Sequence, residues 1–201
     1  INFIRRGLEN IKLKKENKQL ENKSFHSFDF IGESIQIAKI KKLINKLSST
    51  DSRILIYGPT GSGKELLARK IHKNSNRSKE PFVILNGALL QPDNYEAELF
   101  GSDNKDGTIS YGFLERTKGG TLLIDEVTEI PLDTQAKILR VLMDQKFKRI
   151  NGKEDIYVNV RIISSTSKDL NNEVKLGNFR EDLYHRLNVV PIEIPSLKSR
   201  T

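Results

Sequence analysis

Short apolar runs alternate with amphipathic stretches along most of this 201-residue chain. The runs have the length of buried strands, and the stretches between them repeat apolar residues at steps of three and four, as helices do. The pattern predicts strands at 53–57, 82–86, 121–125, 159–165 and 189–194. It predicts helices at 34–47, 63–73, 93–99, 132–144 and 180–186. Such alternation is typical of a parallel sheet covered by helices, so we expect a three-layer α/β domain over residues 29–201.

Residues 1–28 have a different pattern. Apolar residues recur there at steps of three and four until Lys15 and Lys18 interrupt them. They are Ile1, Ile4, Leu8 and Ile11. This repeat of apolar residues predicts a linker helix. The repeat is long enough for at most a short coiled coil.

The chain has a net charge of +8, from 34 Lys plus Arg and 26 Asp plus Glu. Half of that charge lies in residues 1–28. A basic excess is compatible with a nucleic-acid partner or with a solvated helix face, and charge alone leaves both open. The absence of cysteine excludes a disulfide framework, a cysteine zinc site and a thiol nucleophile.

Apolar stretches in the sequence fall short of the ~18 residues of a membrane-spanning helix. The opening residues lack the apolar core of a secretory signal. We therefore expect a cytoplasmic protein without a membrane partner. Because the chain begins with Ile, we also expect a fragment of a longer protein.

A glycine-rich loop follows the first predicted strand and opens the next helix. Glycines let the backbone turn its N–H groups toward a phosphate, the helix N-terminus adds partial positive charge, and Lys64 would reach the β- and γ-phosphates. The alternative is a turn with a solvent-exposed lysine, which the combination of strand, spacing and helix disfavours. The predicted nucleotide-binding residues of this loop are Gly58, Pro59, Thr60, Gly61, Ser62, Gly63, Lys64, Glu65 and Leu66.

A second apolar strand ends in Asp125 and Glu126. Asp125 would anchor Mg²⁺, and Glu126 would polarise the water that attacks the γ-phosphate. Glu65 stands where Ser or Thr usually ligates Mg²⁺, and it is either a second metal ligand or a cap of the helix. A strand ending in two carboxylates is common by itself, but together with the loop it predicts a site of nucleotide hydrolysis.

Four segments together resemble the AAA+ domain of bacterial sigma-54-dependent transcriptional activators. They are Gly58–Glu65, Glu98–Gly101, Gly119–Glu126 and Phe179–Val189. The resemblance covers the chain from about residue 28, and the opening segment resembles the linker that follows the receiver domain in NtrC- and NtrX-type response regulators. It implies a P-loop core, ATP and Mg²⁺ as ligands, and a homo-oligomer, either a ring or a dimer. It also implies receiver and DNA-binding domains elsewhere in the full-length chain, the latter contacting promoter DNA, and places the helical lid beyond Thr201.

The resemblance assigns further roles. Arg180 and Arg186 match two arginines that reach the nucleotide of the next subunit, and Asn86 matches an asparagine that restrains the catalytic glutamate. Ser167 occupies the position of a polar sensor that is usually Asn, so its shorter reach predicts slow hydrolysis. The segment that would lie along the adenine is Phe30, Ile31 and Gly32.

The interval between Gly101 and Gly112 departs from the family pattern. Activators carry there a loop ending in Gly-Ala-Phe-Thr-Gly-Ala that grips sigma-54, whereas this interval is shorter and polar. NtrX-like regulators that lack this loop resemble the chain most, so we expect altered or absent engagement of sigma-54, and contact with RNA polymerase stays open.

Two functions remain open at this point. One is an ATP-hydrolysing module of a two-component transcriptional regulator. The other is a nucleotide-gated oligomerisation module with little or no turnover. They differ in whether Glu126 and Arg186 take part in chemistry, and the arginine pair disfavours a P-loop kinase or metabolic enzyme.

Overall fold

The structure of the chain is a computed structural model that describes residues 35–196. The predicted linker helix over 1–28 and the predicted adenine segment Phe30–Gly32 lie outside the described residues. The helices are α1 (Ile35–Ser48), α2 (Lys64–Lys73), α3 (Tyr95–Phe100), α4 (Phe113–Arg116), α5 (Leu132–Asp144), α6 (Leu170–Lys175) and α7 (Glu181–Leu187). The strands are β1 (Ile54–Tyr57), β2 (Phe82–Asn86), β3 (Gly101–Asp103), β4 (Ile109–Tyr111), β5 (Thr121–Asp125), β6 (Lys146–Phe147), β7 (Ile156–Tyr157), β8 (Arg161–Thr166) and β9 (Val190–Glu193). Within this range, no helix combines the length and apolarity needed to cross a membrane.

The main sheet has five parallel strands in the order β2-β5-β8-β1-β9. Strand β8 lies in the middle, and the residues of β8 and of its neighbour β5 are almost wholly buried. All five carboxyl ends meet at one edge, where parallel sheets bind their ligands. The register places Asn86 of β2 beside Asp125 of β5 at this edge.

Apolar residues on both faces explain why the central strands are buried. Leu55, Leu122 and Ile162 contribute to one continuous core together with residues of α5 and α7. On α2, Leu67 and Ile71 are fully buried, while the charged residues of this helix lie mostly on its other side. Burial of these side chains stabilises the fold by roughly 1.5–3 kcal/mol each.

The predicted three-layer core is confirmed, and each predicted strand and helix from residue 34 onward is present with ends shifted by at most two residues. Two small antiparallel pairs, β3–β4 and β6–β7, and the short helices α4 and α6 were not predicted. These elements are too short for a hydrophobic repeat to appear in the sequence.

The shortened interval after Gly101 forms the hairpin β3–β4. Its tip is closed by hydrogen bonds from the Asn104 amide to the Thr108 carbonyl (2.9 Å) and from the Thr108 amide to Asp106 Oδ1 (2.9 Å). The tip residues are exposed and polar. This segment is therefore a compact, internally bonded turn.

Candidate nucleotide-binding site

The glycine-rich loop connects β1 to α2 at the carboxyl edge of the sheet. Gly63 caps α2 in the left-handed region at φ 84°, which favours glycine. A Cβ at Gly58 would lie 2.8 Å from the carbonyl oxygen of Ile194. The first turn of α2 leaves its leading N–H groups without partners inside the helix, as an anion-binding helix N-terminus requires.

Lys64 is the first residue of α2, and it is only 6% exposed. Its Nζ donates a hydrogen bond to the carbonyl oxygen of Gly58 at 3.0 Å and lies 3.0 Å from Oε1 of Glu126. The ammonium group is therefore held between the glycine-rich loop and the end of β5.

Glu126 directly follows β5. Its backbone has φ 51° and ψ 57°, a left-handed conformation that is unfavourable for residues other than glycine. Its second oxygen, Oε2, accepts hydrogen bonds from both the backbone N–H and the hydroxyl of Ser167, each at 2.9 Å. Ser167 directly follows β8. The Glu126 carboxylate thus contacts both Lys64 and Ser167, the predicted sensor. The strained backbone conformation of Glu126 is of a kind that is common at functional sites.

The pKa of Glu126 reflects opposing effects. Burial raises this pKa, whereas the hydrogen bonds from Ser167 and Lys64 and the positive charge of Lys64 lower it. The lowering effects are the larger, so the pKa of Glu126 lies below its ordinary value. Glu126 is therefore a carboxylate at neutral pH, the form that accepts a proton or orients a water.

Asp125 lies half-buried at the last position of β5. Its Oδ2 accepts a hydrogen bond from Asn86 Nδ2 at 3.4 Å, and its Oδ1 accepts one from the hydroxyl of Ser165. Mg²⁺ in nucleotide sites is typically held by one or two carboxylates together with waters and phosphates. An oriented carboxylate beside the loop fits that requirement.

In this structure Asn86 contacts Asp125, and its restraint of Glu126 stays a prediction. The register of β2 and β5 brings Asn86 to Asp125, and its Oδ1 accepts from the Ala88 amide at 3.0 Å. The left-handed backbone at Glu126 carries its side chain to Lys64 and Ser167 instead. Glu126 is thus held by Lys64 and Ser167 in this structure.

Glu65 points along the exposed flank of α2, where its Oε1 lies 2.7 Å from Nε of Arg69. Of the two roles left open by the sequence, this contact favours a charge at the helix N-terminus over a metal ligand. Among residues 35–196, no group of three or more acidic or histidine side chains is arranged to hold a metal ion. A metal held by Asp125 would therefore take most of its other ligands from phosphate and water oxygens.

Arg180 and Arg186 lie on the surface at α7. The guanidinium of Arg180 pairs with Asp182 at 2.8 Å. Arg186 has no hydrogen bond or ion pair within the described part of the chain. Neither arginine contacts the glycine-rich loop of its own chain, so the structure does not bring them into this site.

Ser165 is a site residue that sequence reasoning missed. It lies in the buried strand β8 and donates a hydrogen bond to Asp125. The available signal was the run of hydroxyl side chains from Ser164 to Thr166, since consecutive polar residues in a buried strand need partners.

Comparisons with known proteins identify relatives of this chain. The sequence model of the family described as the sigma-54 interaction domain matches residues 30–193. The nitrogen assimilation regulatory protein NtrX of Azorhizobium caulinodans is 45% identical over 196 residues, which is 97% of this chain and 43% of that protein. The transcriptional regulator NtrC of Escherichia coli strain K12 is 43% identical over 176 residues, 86% of this chain and 38% of that protein.

One solved structure is similar over the whole chain. It is the crystal structure of NtrX from Brucella abortus in complex with ATP, with a TM-score of 0.84 and 44% sequence identity. The match covers 100% of this chain and 45% of that chain. The chain thus spans less than half the length of the relatives it matches.

Proposed function

This chain belongs to the family of sigma-54 interaction domains, the AAA+ domains of NtrC- and NtrX-type regulators, and on that premise we propose that it binds ATP and hydrolyses it within an oligomer. The observation that carries the proposal is the chain of contacts from Lys64 to Glu126 to Ser167. It joins the ends of three elements, α2, β5 and β8, around one carboxylate.

Binding would begin at the loop. The N–H groups at the start of α2 and the Lys64 ammonium would receive the β- and γ-phosphates, as in other P-loop proteins. Lys64 would then exchange the Glu126 carboxylate for phosphate oxygens. The solved ATP complex of Brucella NtrX supports ATP binding by similarity.

Hydrolysis would follow the release of Glu126. The freed carboxylate would orient and deprotonate the water that attacks the γ-phosphate. Asp125, oriented by Ser165 and Asn86, is the residue that would hold Mg²⁺. When bound, Mg²⁺ neutralises charge on the β- and γ-phosphates.

The two surface arginines would act between subunits. Arg186 is exposed and unpaired within the described residues, so its guanidinium is available to the nucleotide of a neighbouring copy. There it would stabilise charge that develops on the transferred phosphate. Arg180 would first have to leave Asp182.

Engagement of sigma-54 would be altered or absent. A partner that covers the hairpin tip would have to desolvate Asp103, Asn104, Lys105 and Asp106, which is costly without matching polar groups. The proposed setting is a two-component regulator in the cytoplasm. Residues 1–28 would be its linker helix and residues 29–201 its ATPase subdomain, with receiver and promoter-binding domains in other parts of the protein.

A second candidate function is nucleotide-gated oligomerisation with little or no turnover. Both carboxylate oxygens of Glu126 are occupied, one by Lys64 and the other by Ser167. A glutamate that stays in these contacts after ATP binds would not reach a water.

ATP turnover measured against protein concentration separates the two functions. Turnover should rise with concentration and disappear in Lys64→Ala, Glu126→Ala and Arg186→Ala. ATP binding, measured separately by calorimetry, should be lost only in Lys64→Ala. Binding without turnover at every concentration, in this chain and in the full-length protein, would remove the hydrolysis proposal and leave the second candidate.

A further inference from the structure

A cavity of about 380 Å³ lies at the edge of the sheet opposite the nucleotide site. Arg161 is the first residue of β8, and Arg53 directly precedes the neighbouring strand β1. Both arginines line the cavity, together with Arg77, Asp51, Asn159 and apolar residues of α5 and β8. None of the lining residues belongs to the glycine-rich loop.

Arg161 is 2% exposed, yet most of its donor capacity is unused. Its Nη2 donates to the carbonyl oxygen of Leu47 at 2.8 Å, while Nε and Nη1 are buried without a hydrogen-bond partner in the described part of the chain. A guanidinium stays protonated at all physiological pH values, and its buried N–H groups lose their water without compensation. Such a group requires an acceptor.

Arg53, which directly precedes the adjacent strand β1, also has a buried donor, Nη1, without a partner among the described residues. Burial lowers the pKa of Arg53, and the nearby charge of Arg186 lowers it further. Burial likewise lowers the pKa of Arg161. Two neighbouring strands thus bring unpaired cationic donors to one cavity.

The single carboxylate that lines the cavity does not serve these donors. Both oxygens of Asp51 accept hydrogen bonds from Arg77, at 2.9 and 2.8 Å. Arg77 in turn donates to the carbonyl oxygens of Gly119 at 2.9 Å and Asn159 at 3.1 Å. The charges of Arg77 and Asp51 therefore compensate each other in the cavity wall. The uncompensated positive charge is that of Arg53 and Arg161.

We propose that this cavity is a second anion site, in which the Arg53 and Arg161 side chains turn their buried, unpartnered N–H donors toward a bound phosphate group. Guanidinium groups match phosphate oxygens in geometry and charge. The volume falls in the range of small-molecule pockets, roughly 300–1,000 Å³, so it accommodates either inorganic phosphate or a small phosphate ester. The cavity shares no residue with the nucleotide site.

The test is calorimetric titration of the chain with inorganic phosphate, compared with Lys64→Ala, which removes phosphate binding at the glycine-rich loop. In Lys64→Ala, saturable binding at the cavity should remain. Arg53→Gln should weaken it roughly tenfold or more, and Arg53→Lys should retain part of it. Arg140→Gln is the matched control, since this arginine is exposed on α5 and does not line the cavity.

Arg161→Gln also removes the bond to Leu47, so its folding is checked by circular dichroism, and Arg53→Gln keeps the test independent of that outcome. A selenate soak of crystals gives a second measurement, with an anomalous peak expected between the two arginines. Absence of saturable phosphate binding would overturn the proposal. So would binding that is lost in Lys64→Ala and kept in Arg53→Gln.

A parallel titration with glycerol 3-phosphate distinguishes the sources of the phosphate group. Tighter binding than inorganic phosphate would identify a small phosphate ester as the ligand class. Weaker binding, still sensitive to Arg53→Gln, would identify free phosphate.

Discussion

Lys64 and Glu126 form an ion pair across the nucleotide site, with Nζ 3.0 Å from Oε1 and exposed fractions of 6% and 16%. At such burial each charge depends on the other, and removing one partner leaves the second uncompensated. In the proposed function, a phosphate that reaches Lys64 would replace the carboxylate. Nucleotide binding would then be coupled to the release of Glu126.

Glu126→Gln should separate binding from hydrolysis. The amide cannot accept a proton, so turnover should fall by roughly 10²–10⁴. ATP affinity should rise, because Lys64 no longer pairs with a competing carboxylate. Turnover by coupled assay and affinity by calorimetry measure the two effects. Glu129→Gln, which removes an exposed carboxylate paired with Lys168, is the control, and equal turnover in the two variants would contradict the assigned base.

Ser167→Ala should shift the pH dependence of kcat/KM, which reports the resting enzyme in which Glu126 contacts Ser167. Hydrogen bonds from Ser167 help to hold the pKa of Glu126 below its ordinary value, and the variant loses the one from the hydroxyl. The pKa of Glu126 should rise, so the carboxylate would be protonated at a higher pH. The acidic limb of the pH–rate profile should therefore move to higher pH. An unchanged limb with a lowered plateau would indicate that Ser167 positions the glutamate without affecting its charge.

Mixing two inactive variants should restore turnover if arginines act between subunits. In a mixed oligomer of Lys64→Ala and Arg186→Ala, an intact loop can face an intact Arg186. Activity should reappear on mixing and increase with total protein concentration. A mixture of Lys64→Ala with Glu126→Ala is the control, since both changes affect residues that contact each other within one chain. No recovery in the first mixture would exclude the intersubunit role.

Arg149→Gln should loosen the hairpin β3–β4. Arg149 makes a two-bond contact with Glu115 at 2.6 and 2.7 Å and reaches Asp103 of β3 at 3.1 Å, with both Arg149 and Glu115 13% exposed. The free energy of unfolding should fall by about 1–3 kcal/mol. Amide exchange should increase over residues 102–111. Lys137→Gln, which breaks an exposed pair with Glu96, should change stability much less.

Stability should fall as pH drops below about 6.5 because of His72. Burial lowers the pKa of this histidine, a hydrogen bond to the Glu80 backbone raises it, and the charges of Arg161 and Arg69 lower it further, with a net decrease from 6.5. The unfolded chain therefore binds this proton first, and the stabilising contribution present above pH 6.5 is lost as the pH falls. Urea unfolding at pH 7.5 and 5.5 measures the free energy of unfolding at each pH. The difference between the two values should be smaller in His72→Gln.

The hydrophobic pattern was sufficient for the core of the fold. Strands such as β5 and helices such as α5 repeat apolar residues over several positions, and their predicted bounds agree closely with the structure. The hairpins β3–β4 and β6–β7 were missed because their strands are two or three residues long and partly exposed. Their stability comes from contacts such as the ion pairs of Arg149, which join positions far apart in sequence.

The sequence by itself determined the α/β class, the glycine-rich loop and the two carboxylates, because each depends on neighbouring residues and on local spacing. Tertiary structure decided which side chain holds which carboxylate. Ser167 reaches Glu126 and Asn86 reaches Asp125 because the register of parallel strands and a left-handed residue set those directions. It also decided that Arg53 and Arg161, more than a hundred positions apart, line one cavity, since pairing of β1 with β8 brings their amino ends together.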